Sequence, residues 1–252
     1  MPRTTSTAPR RRVTVPVVVA VVAALITGVM LITLGLTRGA PADEGGTAAT
    51  AGRAEAGSAT VQDPSAQEDP LLAVVRRDPQ DGLAVGDVDA PVVIVNYSEF
   101  QCPFCGKFAR DTAPALQEYV DDGTLRIEWR DFPYLGPESM TAALAGRAAA
   151  AQGEFWAFHD AMFADQQPPN SGRLTEDHLV GIAETVGLDT EQFVEDLSDG
   201  AAREAVEADF AEGQAIGVTG TPAFLVNGRP IIGAQPTEVF LQAVEQAADE
   251  AP

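Results

Sequence analysis

Two cysteines, Cys102 and Cys105, lie in "SEFQCPFCGKFARD" between a β-branched run and a helical pattern, and this order constrains the fold more than any other feature. The run "PVVIVNY", Pro91 to Tyr97, has the length and residue types of a buried strand. After it, Phe104, Phe108, Leu116 and Val120 fall on or near one helical stripe, and "DDG" at Asp121 to Gly123 supplies a stop. In "LRIEWRDF" the residues Leu125, Ile127 and Trp129 alternate onto one face, so a second strand follows. Strand, helix, strand at this spacing is a βαβ unit, which builds a parallel sheet through a right-handed crossover.

From Glu138 to Ile216 the pattern is helical throughout. One segment, "EFWAFHDAMFADQ", carries Phe155, Trp156, Phe158, Met162 and Phe163 as a bulky apolar surface, and Thr175 opens another helix with a capping-box-like turn to His178. "TPAFLVNGRPII", Thr221 to Ile232, reads as two short strands around Asn227-Gly228, a strong hairpin signal. An amphipathic helix after Pro236 closes the chain, and upstream "LLAVVRRD" reads as an edge strand. The expected order is βαβ, a helical insertion at about 137–217, then ββα, within a domain spanning 71–252.

Before that domain, Val13 to Leu36 contains no charge, and a helical span needs roughly 20 apolar residues. Arg3, Arg10, Arg11 and Arg12 precede it, which puts residues 1–12 in the cytoplasm and the rest of the chain outside. A cleaved signal peptide is the competing reading, supported by the small residues Ala40 to Ala42, but its apolar region runs only about 7 to 15 residues. Residues 37–70 lack aromatics and read as a disordered tether with a coil reach of roughly 30 Å. The chain carries 16 Lys and Arg against 37 Asp and Glu, a net charge of −21, and the acids dominate the exported part. Nucleic acid is thereby excluded as a partner, since a phosphate backbone needs a positive face.

A helix that begins at Cys102 places this sulfur beside unpaired backbone N–H groups, where negative charge is favoured. A cysteine so placed has its pKa lowered from about 8.5 toward roughly 3.5 to 7.5. Pro103 fits the first helical position, which has no use for a donor. Cys105, one turn on, is close enough to form a disulfide, so Cys102 is read as the exposed, attacked sulfur and Cys105 as the shielded resolving one. Zinc would need further ligands, and His159 and His178 are isolated in sequence and expected on helix surfaces or caps. A structural staple across so small a loop would constrain the unfolded chain little. Redox activity of the pair, with no metal or other cofactor, is the preferred reading.

The strand-CxxC-helix order in "APVVIVNYSEFQCPFCGKF", the helices after "RDFPYLG" and the late "GVTGTPAFLVNGRPIIGAQP" together resemble the DsbA-like thiol-disulfide oxidoreductases of the thioredoxin superfamily, over about Leu71 to Ala251. The resemblance implies an α/β thioredoxin-like fold with a helical insertion. It also implies that Pro222 is cis and faces the redox pair, with Thr221 offering backbone groups to a bound peptide. Two positions depart from the pattern: Phe104 stands where strong oxidants carry His, and Asn96 stands where some members carry a buried acid. Glu99 and Lys107 are the candidates for tuning the thiol.

These features lead to a membrane-tethered, extracytoplasmic oxidoreductase that passes its disulfide to reduced exported proteins, with a membrane reoxidant implied by the resemblance alone. The alternatives are a reductase or isomerase of extracytoplasmic thiols, and a non-catalytic binding module that uses the Phe155 to Phe163 cluster to hold unfolded chains.

Overall fold

The computed structural model describes residues 70–251; the basic N-terminus, the apolar span and all but the last residue of the tether lie outside them. Among the described residues no helix is long and apolar enough to cross a membrane. Five strands form one sheet: β1 (Ala84–Val85), β2 (Val92–Ser98), β3 (Leu125–Asp131), β4 (Ala223–Val226) and β5 (Arg229–Ile232), in the order β1-β3-β2-β4-β5. β2 and β3 run parallel, with Ile94 opposite Ile127, and β4 lies antiparallel on the other side of β2, with Asn96 opposite Phe224.

β2 is buried along its whole length because both of its faces are covered. Val92 and Ile94 pack with Phe108, Leu116, Phe240 and Val244 on one side, and Val93, Val95 and Tyr97 with Phe132 and Leu225 on the other. That two-residue period is what a strand imposes on an apolar run. The hairpin between β4 and β5 turns on Asn227 (φ 43) and Gly228 (φ 81), both left-handed, as this turn type requires. The Asn227 side chain also accepts from Val93 N at 2.8 Å and donates to Pro91 O at 3.0 Å, which pins the turn to the start of β2.

The helix after β2 is broken. It runs as α1 (Pro103–Lys107), a π-helical turn (Phe108–Thr112) and α2 (Ala113–Asp121). Pro114 has no N–H to return to the preceding turn, and the Ala113 N–H bonds the Phe108 carbonyl across the wider π spacing. Between β3 and β4 come α3 (Pro137–Ala151), α4 (Phe155–Ala164), α5 (Glu176–Thr185), α6 (Thr190–Asp196) and α7 (Gly200–Ala215), and α8 (Thr237–Asp249) follows β5. Thr175 caps α5 through the N–H of His178. Phe155, Phe158, Met162 and Phe163 are buried in the core that α4 shares with Phe100 and Trp129. They offer no exposed surface to an unfolded chain, and Trp156, the fifth residue of the cluster, is half-buried, so the binding-module reading is left with one partly exposed ring. His159, expected at a surface, is also buried, ringed by Trp129, Trp156 and Phe163 at 4.8–5.3 Å, while His178 is half-buried.

"LLAVVRRD" does not form the edge strand. Residues 70–74 form a turn, and the edge is the short β1, paired antiparallel to β3. The N–H groups of Arg76 and Arg77, which a strand would give to a neighbour, go to the Glu128 carboxylate at 3.1 and 2.8 Å. Glu128 is fully buried on β3 and also receives Arg126 at 3.0 Å and Arg130 at 2.8 Å. The polar face of β3 is thus an interior ion network, extended by Asp131 and Asp209 to Arg147 and Arg76. Burial alone would raise the pKa of Glu128, but the Arg76 N–H, Arg130, Arg126 and the Arg77 N–H outweigh it and hold the carboxyl below its ordinary value.

Glu128→Gln leaves buried Arg126 without its carboxylate and Arg130 with only the longer pairs to Glu212 at 3.4 Å and Asp81 at 3.7 Å, and should lower stability by about 3–5 kcal/mol, read as a lower urea midpoint. Because the folded pKa of Glu128 is depressed, its contribution is complete above the unfolded carboxylate value of about 4.3 and fades as pH falls through the folded value. The gap between wild type and variant should therefore narrow only in acid.

Candidate active site

Where β2 ends, the segment Glu99, Phe100, Gln101, Cys102 turns inward before α1 begins. Phe100 stacks on Trp129 with ring centroids 5.2 Å apart, which anchors the turn to the apolar face of β3. The helical insertion holds the rest. Gln166 Nε2, just beyond α4, donates to the carbonyls of both Phe100 and Cys102 at 2.9 Å. Gln101 donates to Ser139 Oγ on α3 at 2.8 Å and accepts from Asn170 N at 2.7 Å. Gly106 leaves room for this clamp, because a Cβ there would collide with the side-chain amide oxygen of Gln166 and the Arg110 guanidinium. Arg110 in turn donates to Phe163 O at 2.6 Å.

Cys102 is the N-cap of α1, with extended dihedrals (φ −73, ψ 118) and Pro103 following in the first turn. Its Sγ lies 3.2 Å from the Thr221 carbonyl oxygen, to which the protonated thiol donates. The Thr221-Pro222 bond is cis, and the Pro222 carbonyl accepts from Gly233 N at 2.9 Å, tying this loop to the end of β5. The structure therefore brings Cys102, Cys105, Pro103, Thr221 and Pro222 together. Phe104 projects from the same turn and is 62% exposed. Both cysteines are free thiols, and both are buried, each 2% exposed. The expectation of an exposed Cys102 is corrected: the Thr221-Pro222 loop lies against its sulfur, and the Phe100 and Phe163 core backs it.

The two sulfurs differ in protonation. A hydrogen bond from the Cys105 thiol outweighs burial and, with the Thr221 side chain and the N–H groups of Cys105 and Phe104, lowers the Cys102 pKa to about 6. Burial, reinforced by that same bond and by the Cys102 charge, pushes Cys105 well above the ordinary thiol range, with Ser98 and Thr221 offsetting part of the rise. Cys102 is then the thiolate at neutral pH and Cys105 the retained thiol.

Glu99 is buried, 2% exposed, and not a solvated flanking charge. Lys107, by contrast, pairs with Asp111 at 2.9 Å on the outer surface of the helix. Asn96 occupies the interior of β2 with an unpartnered Oδ1. Four residues that sequence reasoning did not single out complete the site: Tyr134, Ser139, Gln166 and Ser98. Tyr134 is 41% exposed and its hydroxyl sits by Gly220 and Thr221, with burial and the Cys102 charge raising its pKa. Ser98, directly after the apolar run, is the one whose proximity to the cysteines gave a local signal; the others arrive from far along the chain. Among the described residues no group of three His, Cys, Asp or Glu is arranged to hold a metal.

Residues 78–246 match the family model described as Thioredoxin. The chain is 39% identical over 175 residues to Na(+)/H(+) antiporter NhaA 1 of Salinispora arenicola, covering 68% of this chain and 25% of that protein, so it spans about a quarter of this relative's length. It is 34% identical over 150 residues to the probable disulfide bond formation protein D of Bacillus cereus, covering 58% of this chain and 69% of the relative. The fold is similar to that of oxidised BdbD from Bacillus subtilis, with a TM-score of 0.62 and 25% identity across 66% of this chain and 92% of that one.

With the pair reduced, alkylation of Cys102 by iodoacetamide should follow a titration centred near pH 6, while Cys105 stays unmodified. Cys105→Ala removes the main donor to the thiolate, and the midpoint should move up toward the ordinary thiol value of about 8.5, checked by mass spectrometry across a pH series.

Proposed function

This chain belongs to the thioredoxin family, and from that premise we propose that it is a DsbA-like thiol-disulfide oxidoreductase that donates a disulfide to exported proteins. The observation carrying the reading is the placement of the Cys102 sulfur at the N-cap of a helix, one turn before Cys105 and 3.2 Å from the backbone of the Thr221-Pro222 loop. In the oxidised enzyme a substrate thiolate attacks Cys102 Sγ, the Cys102-Cys105 bond breaks, and Cys105 leaves and takes up a proton. A second substrate thiolate then attacks the substrate sulfur of the mixed disulfide. Its leaving group is the Cys102 thiolate, stabilised by Cys105, so release is favoured and the substrate departs oxidised.

The rim suits an extended polypeptide. Phe104 and Tyr134 expose aromatic surface beside the sulfur, and Thr221 supplies the backbone edge. The charge-free run from Val13 to Leu36 supports an anchor that places the domain outside the cytoplasm, at the end of the 37–70 tether. The same location supports reduced exported proteins as substrates and a membrane-borne reoxidant as the partner that restores the disulfide. The redox pair itself is the only prosthetic chemistry this cycle uses.

Oxidised protein should restore activity to a reduced, unfolded disulfide-containing enzyme, and Cys102→Ser should abolish that activity. A Cys102→Ser variant that retained it would refute the mechanism. Equilibration with glutathione should show the pair to be readily reduced; a strongly reducing pair would point to the reductase or isomerase reading.

A further inference from the structure

We propose that Glu99 is the proton-holding group of this redox site: its carboxyl takes up a proton when the Cys102-Cys105 bond is reduced and releases it when the bond reforms. The inference rests on the oxidoreductase reading and adds a positioning residue to it, acting through Cys102.

Glu99 lies three residues before Cys102, and its own carbonyl accepts the Cys102 N–H at 3.4 Å, so carboxyl and sulfur belong to one turn of chain. The carboxyl has almost no access to water. Oε2 accepts from Ser139 Oγ, which is itself fixed by Gln101. Oε1 is buried without a hydrogen-bond partner, and the backbone N–H groups of Leu135 and Tyr134 lie close enough to the carboxyl to offset part of the effect of its burial. A carboxylate with one unsatisfied oxygen in the interior is costly, and protonation relieves the cost. The ionisable groups that face it are Cys102 on its own loop and Tyr134 from the segment after β3, and neither carries a positive charge. Burial is the largest influence and the Cys102 thiolate adds to it, so that the Glu99 pKa stands at about 7 although Ser139 lowers it.

Cys102 carries its negative charge only when the pair is reduced. Once the sulfurs join, that charge is gone and Glu99 ionises more readily. The exchange with two glutathione molecules then balances within the site. Two thiols give up two electrons and two protons and become glutathione disulfide; the Cys102-Cys105 bond breaks; Cys105 takes one proton, Cys102 remains a thiolate, and the second proton goes to Glu99. Without Glu99 that second proton must go to water.

The test is the equilibrium constant with glutathione measured across pH 5 to 9. One proton released to water makes the constant rise about tenfold per pH unit. In the wild type that rise should begin near pH 7, where Glu99 stops taking the proton, and in Glu99→Gln near pH 6, where Cys102 ionises. Thiolate absorbance should place the Cys102 midpoint near pH 6 in both proteins, because Glu99 is still protonated there. A purely structural role for Glu99 would not move the onset while leaving that midpoint in place. Ser139→Ala keeps the carboxyl but removes its donor, and should carry the onset above pH 7, which maintains the test if Glu99→Gln does not fold. Coincident pH profiles, with exchange intact, overturn the proposal and leave the oxidoreductase reading standing; absence of any exchange with glutathione overturns both.

Discussion

One hydrogen bond organises the site: the Cys105 thiol donates to Cys102, so a single buried proton separates the charges of two sulfurs one helical turn apart. Everything around the pair maintains that asymmetry. The N-cap geometry aims backbone N–H groups at Cys102, while the core of Phe100, Phe158 and Phe163 keeps water from Cys105. The asymmetry persists only if α1 begins at Cys102, and Pro103 helps define that start.

The loop preceding Cys102 has no regular structure of its own, and its position is imposed from outside. Gln166 satisfies two of its carbonyls, and Ser139 and Asn170 hold Gln101, so the insertion acts on the sulfur through backbone groups. On the far side, β4 places the Thr221 carbonyl through its antiparallel register with β2, from Tyr97 opposite Ala223 to Ile94 opposite Val226. The sulfur therefore lies at a junction of three elements that meet only in the folded chain.

What was legible in the sequence was local. The strand before Cys102, the helix after it and the Asn227-Gly228 hairpin each depend on neighbours within a few residues, and each stands in the structure close to where the pattern put it. The edge strand departs from its pattern because "LLAVVRRD" has a strand's composition, and nothing nearby reveals that a carboxylate from β3, some fifty residues away, takes its N–H groups. The π turn was hidden for another reason: Pro114 falls where a helix stripe continues, and its cost is absorbed by a change of hydrogen-bond spacing. Of the two proposed tuning residues, sequence treated Glu99 and Lys107 alike. Burial separates them, because α3 closes over Glu99 whereas nothing covers Lys107.

The fastening of Arg76 and Arg77 to Glu128 has a mechanical consequence. A pull applied to the chain at residue 70 enters the domain through this segment. That force meets β3 and α7 first, through Glu128, Asp209 and Glu212, where several charged bonds share the load in shear. Residues 70–77 therefore come away from the sheet only once these charged bonds have yielded together.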